Sequence, residues 1–425
     1  MSNTKGLFEF INKSPSAYHA VATVADMLRA AGYTELFECD KWELADGGRY
    51  FVTRSGSSLI AFVYKKELSS FDVVATHSDS PSFRLKCEPE NIGVYSRLNV
   101  ERYGGPVFYT WFDRPLSLAG RVVVSTECGA QIRLVDLDRD SFVIPSVAPH
   151  LNREINKGFA PNPAVDLLPL YATGKNGGSL LDEIAEAAGA ERVNVLSYDL
   201  FLYNREKGTV LGKDGEFILS PRLDDLACSY TSLVAFLRAR ASAATPVYAI
   251  FDNEEVGSST KQGAASTFLY DVLERVAGDP LTYRRAISSS VMVSADNAHA
   301  MHPNHPELSD SGCHSVLAGG VVVKYNADRR YTTDGVSDAI IRTVAKRAGA
   351  PIQFYANRAD MPGGSTLGSI ATTKMPAISV DIGLPQLAMH SANETAAAAD
   401  IDSMVALLTE FYSTHFRIRS DSIEF

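Results

Sequence analysis

Acidic and imidazole side chains gather at five points of the sequence, each where a predicted strand ends or a predicted helix begins. These residues are His77, Asp79, Asp224, Asp225, Glu254, Glu255, Asp296 and His390. Zinc accepts imidazole and carboxylate ligands, and a catalytic zinc site keeps one position for water. A single acidic pair is usually a solvated surface feature, but five such clusters after apolar strands predict a site for a pair of divalent metals.

Two of these clusters contain adjacent carboxylates, and the two members of a pair need not have the same task. An aspartate at the start of a helix, such as Asp224, can lie between two metals, because the positive end of the helix tolerates its charge. In extended backbone, successive side chains point to opposite sides. Of Glu254 and Glu255, one can therefore bind a metal while its neighbour takes the proton of the attacking water.

The elements that must position these residues alternate between strands and helices. Short apolar runs predict strands over residues 71–75, 247–251, 291–294 and 377–380, and helical periodicity predicts a helix over residues 224–240. Such alternation indicates an α/β fold with a mostly parallel sheet covered by helices on both faces. Ligands of such sheets bind beyond the carboxyl ends of the strands, which is where the clusters fall.

The middle of the chain has a different character. Between residues 92 and 217, strand-like runs lie close together and are separated by turns that contain Gly and Asp. The sequence therefore predicts a catalytic domain in two parts, residues 1–91 and 218–425, interrupted by a β-rich insertion domain over residues 92–217.

Composition limits the possible partners and the compartment. The chain has 425 residues with 40 Lys+Arg and 50 Asp+Glu, a net charge of −10. An acidic chain without a basic block is expected to bind neither nucleic acid nor a membrane, and no apolar run approaches the ~18 residues of a membrane span. Five cysteines without a CxxC pair predict free thiols in the cytoplasm, and Glu9 interrupts any signal peptide.

Six short strings follow one another along the chain in a characteristic order. They are THSDSP at residues 76–81, PRLDDL at 221–226, FDNEEVGS at 251–258, SADNAH at 294–299, MPGGST at 361–366 and LAMHS at 387–391. Together they resemble the aspartyl aminopeptidase family, the M18 metallopeptidases, over essentially the whole chain. The resemblance implies the dizinc exopeptidase fold and an aminopeptidase with two Zn²⁺ per subunit.

The resemblance also implies a ligand set for the two metals. His77 and Asp296 would bind one zinc, Glu255 and His390 would bind the other, and Asp224 would bridge them. Related dizinc peptidases often hold the peptide bond after the bridging aspartate in cis. Mn²⁺ or Co²⁺ could replace zinc, because imidazole and carboxylate ligands accept all three metals.

Further roles follow from the same resemblance. Glu254 would be the general base, and Asp79 would orient the first metal-binding histidine. Asp225 stands where relatives have Asn or Asp and is assigned no metal. Lys324 matches a lysine that faces the first side chain of acidic substrates, as a mobile ammonium, and His150 matches a histidine that reaches into a neighbouring subunit's active site. The alternatives are a solvated lysine at a strand end and an ordinary loop histidine.

The predicted function is removal of one N-terminal residue, preferably Asp or Glu, from peptides in the cytoplasm. The resemblance implies a homo-oligomer built through the insertion, expected to be a dodecamer made of dimers. One alternative is an aminopeptidase of broad or neutral, leucine-type preference. Weaker alternatives are an amidase or deacylase of the same clan and a non-catalytic scaffold, although no expected ligand and no base is missing from the sequence.

Overall fold

The computed structural model of the chain describes residues 2–174, 179–419 and 421–425. Its helices are α1 (Asn3–Asn12), α2 (Ala17–Ala30), α3 (Leu180–Ala187), α4 (Leu223–Arg238), α5 (Phe268–Ala277), α6 (Pro280–Ile287), α7 (Gly335–Ala348), α8 (Leu367–Ala371) and α9 (Ala398–Ser413). Its strands are β1 (Thr34–Leu36), β2 (Arg49–Arg54), β3 (Ser58–Val63), β4 (Phe71–His77), β5 (Ser82–Ile92), β6 (Tyr95–Tyr103), β7 (Leu116–Thr126), β8 (Gly129–Asp136), β9 (Leu170–Thr173), β10 (Val195–Asn204), β11 (Thr209–Leu211), β12 (Phe217–Ser220), β13 (Thr245–Phe251), β14 (Val291–Ala295), β15 (Ala298–His299), β16 (Val321–Tyr325), β17 (Ile352–Ala356), β18 (Ile378–Gly383), β19 (Pro385–Leu387), β20 (Glu394–Ala397), β21 (Arg417–Ile418) and β22 (Ile423–Glu424). No helix in the described part of the chain is long and apolar enough to cross a membrane.

The chain divides into two compact units. The first contains residues up to 79, residues 208–389 and residues 394–425, and the second contains residues 80–207 and 390–393. These limits differ from the predicted insertion because β5 pairs with β6 and β10 of the second unit, whereas β11 and β12 pair in the first. An oligomerisation role for the second unit stays a prediction.

The first unit is built on a nine-stranded sheet of order β1-β2-β3-β13-β4-β14-β18-β16-β17. Strand β4 pairs in parallel with β13 and β14, and β14 pairs in parallel with β18, whereas β3 and β16 join antiparallel to β13 and β18. The predicted mostly parallel sheet is thus confirmed.

Helices cover both faces of this sheet, as predicted. Strand alternation sends Val74 into one apolar cluster and Val73 and Ala75 into another. The first cluster contains buried residues of α1, α2, α4, α7 and α9, and the second contains those of α5, α6 and α8. Because β4 is buried on both faces, its apolar residues follow one another at 73–75 instead of alternating with polar ones.

The parallel register brings the carboxyl ends of the central strands to one edge. His77 lies opposite Phe251, and Ala295 lies opposite Ile382. The residues that follow β4, β13 and β14 therefore leave the sheet side by side, and this edge carries the predicted chemistry. A smaller sheet of the same unit, of order β11-β12-β20-β19-β15, lies along the chain segments that enter α4 and follow β18.

The second unit is β-rich, as predicted. Its six-stranded antiparallel sheet has the order β8-β7-β10-β5-β6-β9. Its apolar core includes Phe83, Trp111 and Leu200, together with Leu180 and Ile184 from α3. The long β7/β10 and β7/β8 pairings give this unit a core of its own.

Candidate metal centre

His77 ends strand β4 and is buried. Its Nε2 atom lies 3.4 Å from Oδ1 of Asp224. Its Nδ1 atom lies 3.1 Å from the main-chain oxygen of Asp79 and 3.5 Å from Oδ1 of the same residue. The nearest contact of Nδ1 is thus the main-chain oxygen of Asp79, whereas Nε2 faces the carboxylate of Asp224.

The Asp79 side chain has a second contact that the sequence did not suggest. Its two carboxylate oxygens accept hydrogen bonds from the main-chain nitrogens of Glu254 and Glu255, each at 3.1 Å. Asp79 therefore fixes the turn that carries both glutamates. That turn begins at Asn253, which has a left-handed φ of 65°.

Asp224 and Asp225 stand at the start of α4, where the backbone is not yet helical. The peptide bond between them is cis, as the resemblance implies. Asp224 donates its main-chain N–H to Oε2 of Glu394 at 2.9 Å. Asp225 accepts the main-chain N–H of His77 at 3.1 Å, so this aspartate positions the histidine's backbone.

Charge is concentrated in this region. Burial, followed by the charges of Asp296 and Asp224, raises the pKa of Asp225 well above its usual range, and burial also raises the pKa of Asp296. Burial raises the pKa of Glu254 to about 8. Although burial lowers the pKa of His77, the surrounding carboxylates raise it well above its ordinary value. The site therefore favours positive charge.

The candidate ligand atoms lie close enough to share metals. Ligand atoms of His77, Asp224, Asp225 and Asp296 all lie within 4.8 Å of one another, and so do those of His77, Glu254 and Glu255. These are imidazole and carboxylate donors only, the set that zinc accepts without cysteine. The donor chemistry and the crowding of buried carboxylates fit divalent cations.

Two other predicted residues lie in the second unit. His390 has a left-handed φ of 68°, and its Nδ1 atom lies 3.2 Å from the main-chain oxygen of Gly105. The ligand role of His390 stays a prediction. His150 lies in an exposed turn, and its role at a neighbouring active site stays a prediction.

Lys324 is buried in β16 and is not the mobile ammonium expected from the sequence. Its Nζ atom donates to the main-chain oxygens of Asp296 at 2.7 Å and Asn297 at 3.2 Å, and it lies 3.9 Å from Oδ2 of Asp296. Burial lowers its pKa, but the charges of Asp296, Tyr331 and Asp381 together outweigh burial, so the pKa is raised. The ammonium is therefore charged and held beside a predicted ligand.

Sequence reasoning missed several buried polar residues around this site. They are Asn297, Asp381, Gln386 and Glu394. Asp381 accepts from the hydroxyl of Thr366, which ends the MPGGST string, at 2.5 Å. Asn297 lies inside the string SADNAH, in which only the aspartate was predicted to be a ligand. Their contacts depend on the order of strands in the sheets, so no local pattern could have identified them.

This arrangement of parallel strand ends, imidazole and carboxylates is that of a metal-dependent hydrolase. A family model described as aminopeptidase I zinc metalloprotease (M18) matches residues 10–412, and the chain belongs to this M18 aminopeptidase family. It is therefore an aminopeptidase of the zinc metalloprotease type.

Known relatives agree with this assignment. A probable M18 family aminopeptidase 2 of Clostridium acetobutylicum is 42% identical over 96% of this chain and 98% of its own length. The corresponding protein of Clostridium novyi is 40% identical over 96% of this chain and 98% of its own length. Among solved structures, one described as the Ape4 and Nbr1 complex has a TM-score of 0.94 and 34% identity, covering 97% of this chain and 85% of the other. The S. cerevisiae mApe1 dodecamer has a TM-score of 0.85 and 26% identity, with 96% of each chain covered.

Proposed function

We propose that this aminopeptidase removes N-terminal Asp or Glu from peptides, using two zinc ions and Glu254 as the general base. The proposal is carried by one observation: a half-buried glutamate next to a predicted ligand, in a turn whose main chain is fixed by Asp79. A fixed main chain places the Glu254 side chain beside the metal site, within reach of a water bound there.

His77 and Asp296 would hold one metal and Glu255 and His390 the other, with Asp224 between them. When bound, the zinc ions polarise the scissile carbonyl and lower the pKa of the attacking water. The Glu254 carboxylate accepts the proton of that water and delivers it to the leaving amine. Asp79 keeps both glutamates in register with His77 through its main-chain and side-chain contacts.

The preference for acidic substrates rests on Lys324. A substrate carboxylate that leaves water for a closed pocket needs a cationic partner, because a buried unpaired charge is costly. Lys324 keeps its charge while buried and uses two of its three N–H donors on main-chain oxygens. The third N–H has the longer contact of 3.9 Å with Oδ2 of Asp296, and it is the donor proposed for the substrate carboxylate. A leucine-type preference is the competing proposal.

A substrate panel with metal depletion tests this function. The purified chain should cleave Asp- and Glu-derived aminoacyl substrates faster than Leu-derived ones, since Lys324 stabilises their charge. Activity should disappear after treatment with a chelator and return on addition of Zn²⁺, Mn²⁺ or Co²⁺, because the ligand set accepts each. Faster cleavage of the Leu substrate would favour the neutral alternative, and no cleavage of any substrate with any metal would favour a scaffold.

We further propose that the chain assembles through its second unit, as a dodecamer made of dimers. This unit carries many large exposed apolar side chains: Val94, Tyr95, Tyr109, Ile132, Leu134, Val147, Leu151, Val165, Val193 and Leu196. Ile132 and Leu134 point to the same face of the edge strand β8, and an exposed apolar strand face of this kind is typical of a contact surface. The similar S. cerevisiae mApe1 structure is described as a dodecamer.

A cytoplasmic location is part of the same proposal. Free cysteines, three of them exposed, are in keeping with a reducing cytoplasm.

His150 links assembly to activity in this proposal. If it completes a neighbour's site, His150→Ala should keep the oligomer mass but lower kcat/KM on the order of 10²-fold, the usual effect of losing one active-site hydrogen-bond donor. His305→Ala, which changes another exposed loop histidine in the first unit, is the matched control and should change neither quantity. Light scattering gives the mass, and a fully active monomer would contradict both parts.

A further inference from the structure

A chain of buried polar side chains lies behind Asp224. Oε2 of Glu394 accepts the main-chain N–H of Asp224 at 2.9 Å. Oε1 of Glu394 faces Nε2 of Gln386 at 3.5 Å. Nδ2 of Asn297 donates to Oε1 of Gln386 at 2.9 Å and to the main-chain oxygen of Leu223 at 2.8 Å. The main chain on both sides of the Leu223–Asp224 bond is therefore held by these three side chains.

These hydrogen-bonded side chains also reach the backbone next to Asp296, another predicted ligand. Asn297 directly follows Asp296, and its main-chain oxygen accepts from Lys324. The Sγ atom of Cys228 donates to Oδ1 of Asn297 at 3.1 Å. Asn297 thus contacts four partners: three through its side-chain amide and one through its main-chain oxygen. Asp224 and Asp296 come from different elements, and these contacts connect their backbones.

We propose that Glu394, supported by Gln386 and Asn297, is a positioning residue that holds the Asp224 carboxylate in its metal-bridging place. Glu394 is buried and begins β20, where it lies opposite Ser220 of β12. That register aims its side chain at the start of α4, four residues further along the chain. Burying a carboxylate is costly unless it is hydrogen-bonded. Here one oxygen of Glu394 accepts the main-chain N–H of Asp224, a predicted metal ligand.

The position of Asp224 matters more than that of an ordinary ligand. A bridging carboxylate must meet two metals at once, so a small displacement weakens two bonds together. Outer partners of metal ligands typically contribute 10–100-fold to metal affinity. Glu394 contacts the main chain of Asp224 rather than its carboxylate. It therefore fixes the backbone position from which the Asp224 side chain extends.

This inference rests on the proposed dizinc function, and zinc affinity tests it separately from catalysis. Glu394→Leu should raise the dissociation constant for Zn²⁺, measured by competition with a chromophoric chelator, by about 10–100-fold. Glu394→Gln keeps an acceptor oxygen for the Asp224 N–H and should recover most of that loss. At saturating zinc, KM should stay close to that of the wild type while kcat is reduced, because Glu394 does not touch substrate.

The matched control is Asp400→Leu, which removes another buried carboxylate that accepts main-chain N–H groups, those of Ala318 and Gly320. It should leave the zinc dissociation constant unchanged. Equal weakening by Asp400→Leu, or wild-type zinc affinity in a folded Glu394→Leu chain, would overturn the inference. If Glu394→Leu does not fold, Gln386→Met decides: the inference requires weaker zinc binding, and wild-type affinity refutes it.

The two proposals fail in different ways. Absence of aminopeptidase activity in the zinc-loaded wild type would count against the proposed function, whatever the variants do. An active wild type whose zinc affinity is insensitive to Glu394 and Gln386 would remove only the positioning role.

Discussion

Glu254→Gln is expected to lower kcat by roughly 10²–10⁴-fold, the usual contribution of general acid–base catalysis. Glutamine keeps the size and shape of the side chain, but its amide cannot accept the proton of the attacking water. The main-chain contact with Asp79 does not involve the side chain and should persist. Metal content, measured on the purified variant by elemental analysis, should therefore stay near that of the wild type.

Glu255→Gln is the matched comparison, because both glutamates belong to the same turn and both have ligand atoms within 4.8 Å of His77. This variant should lose metal, since a neutral amide is a poorer ligand than a carboxylate. The opposite pattern, with metal lost in Glu254→Gln and retained in Glu255→Gln, would exchange the two roles.

The central strands could be predicted from sequence because burial on both faces demands apolar runs. Residues 71–75 and 247–251 were predicted as strands and are observed as Phe71–His77 and Thr245–Phe251. The predicted helix over 224–240 is observed as Leu223–Arg238. Strands that alternate with helices along the sequence are expected to be parallel. Their carboxyl ends then lie at one edge of the sheet, so the acidic clusters can be placed there from sequence alone.

Contacts across distant elements could not be predicted in this way. Glu394 is 170 residues from Asp224, and the two meet only because β20 pairs with β12. The second unit also begins earlier than the predicted insertion. Strand β5 belongs to it because β5 pairs with β6 and β10, and local composition does not reveal that pairing. Lys324 was expected to be mobile, since neither its burial nor its two main-chain acceptors can be inferred from the string around it.

Lys324→Met is expected to lower kcat/KM for Asp-derived substrates by roughly 30- to 4,000-fold. These factors correspond to about 2–5 kcal/mol, the usual cost of truncating one partner of a buried charge pair. Methionine retains an unbranched apolar stem of similar length but has no charge to offer a substrate carboxylate. Leu-derived substrates should be spared relative to acidic ones, because no buried cation then faces an apolar side chain.

The contacts of Lys324 determine how this result must be measured. Methionine also deprives the main-chain oxygens of Asp296 and Asn297 of a donor, and an unsatisfied buried acceptor costs about 1–3 kcal/mol. That loss would disturb the metal site equally for every substrate. The ratio of kcat/KM for Asp over Leu cancels the shared loss and isolates the charge. If the ratio is unchanged while both values and zinc affinity fall, Lys324 positions Asp296 and the acidic pocket must lie elsewhere.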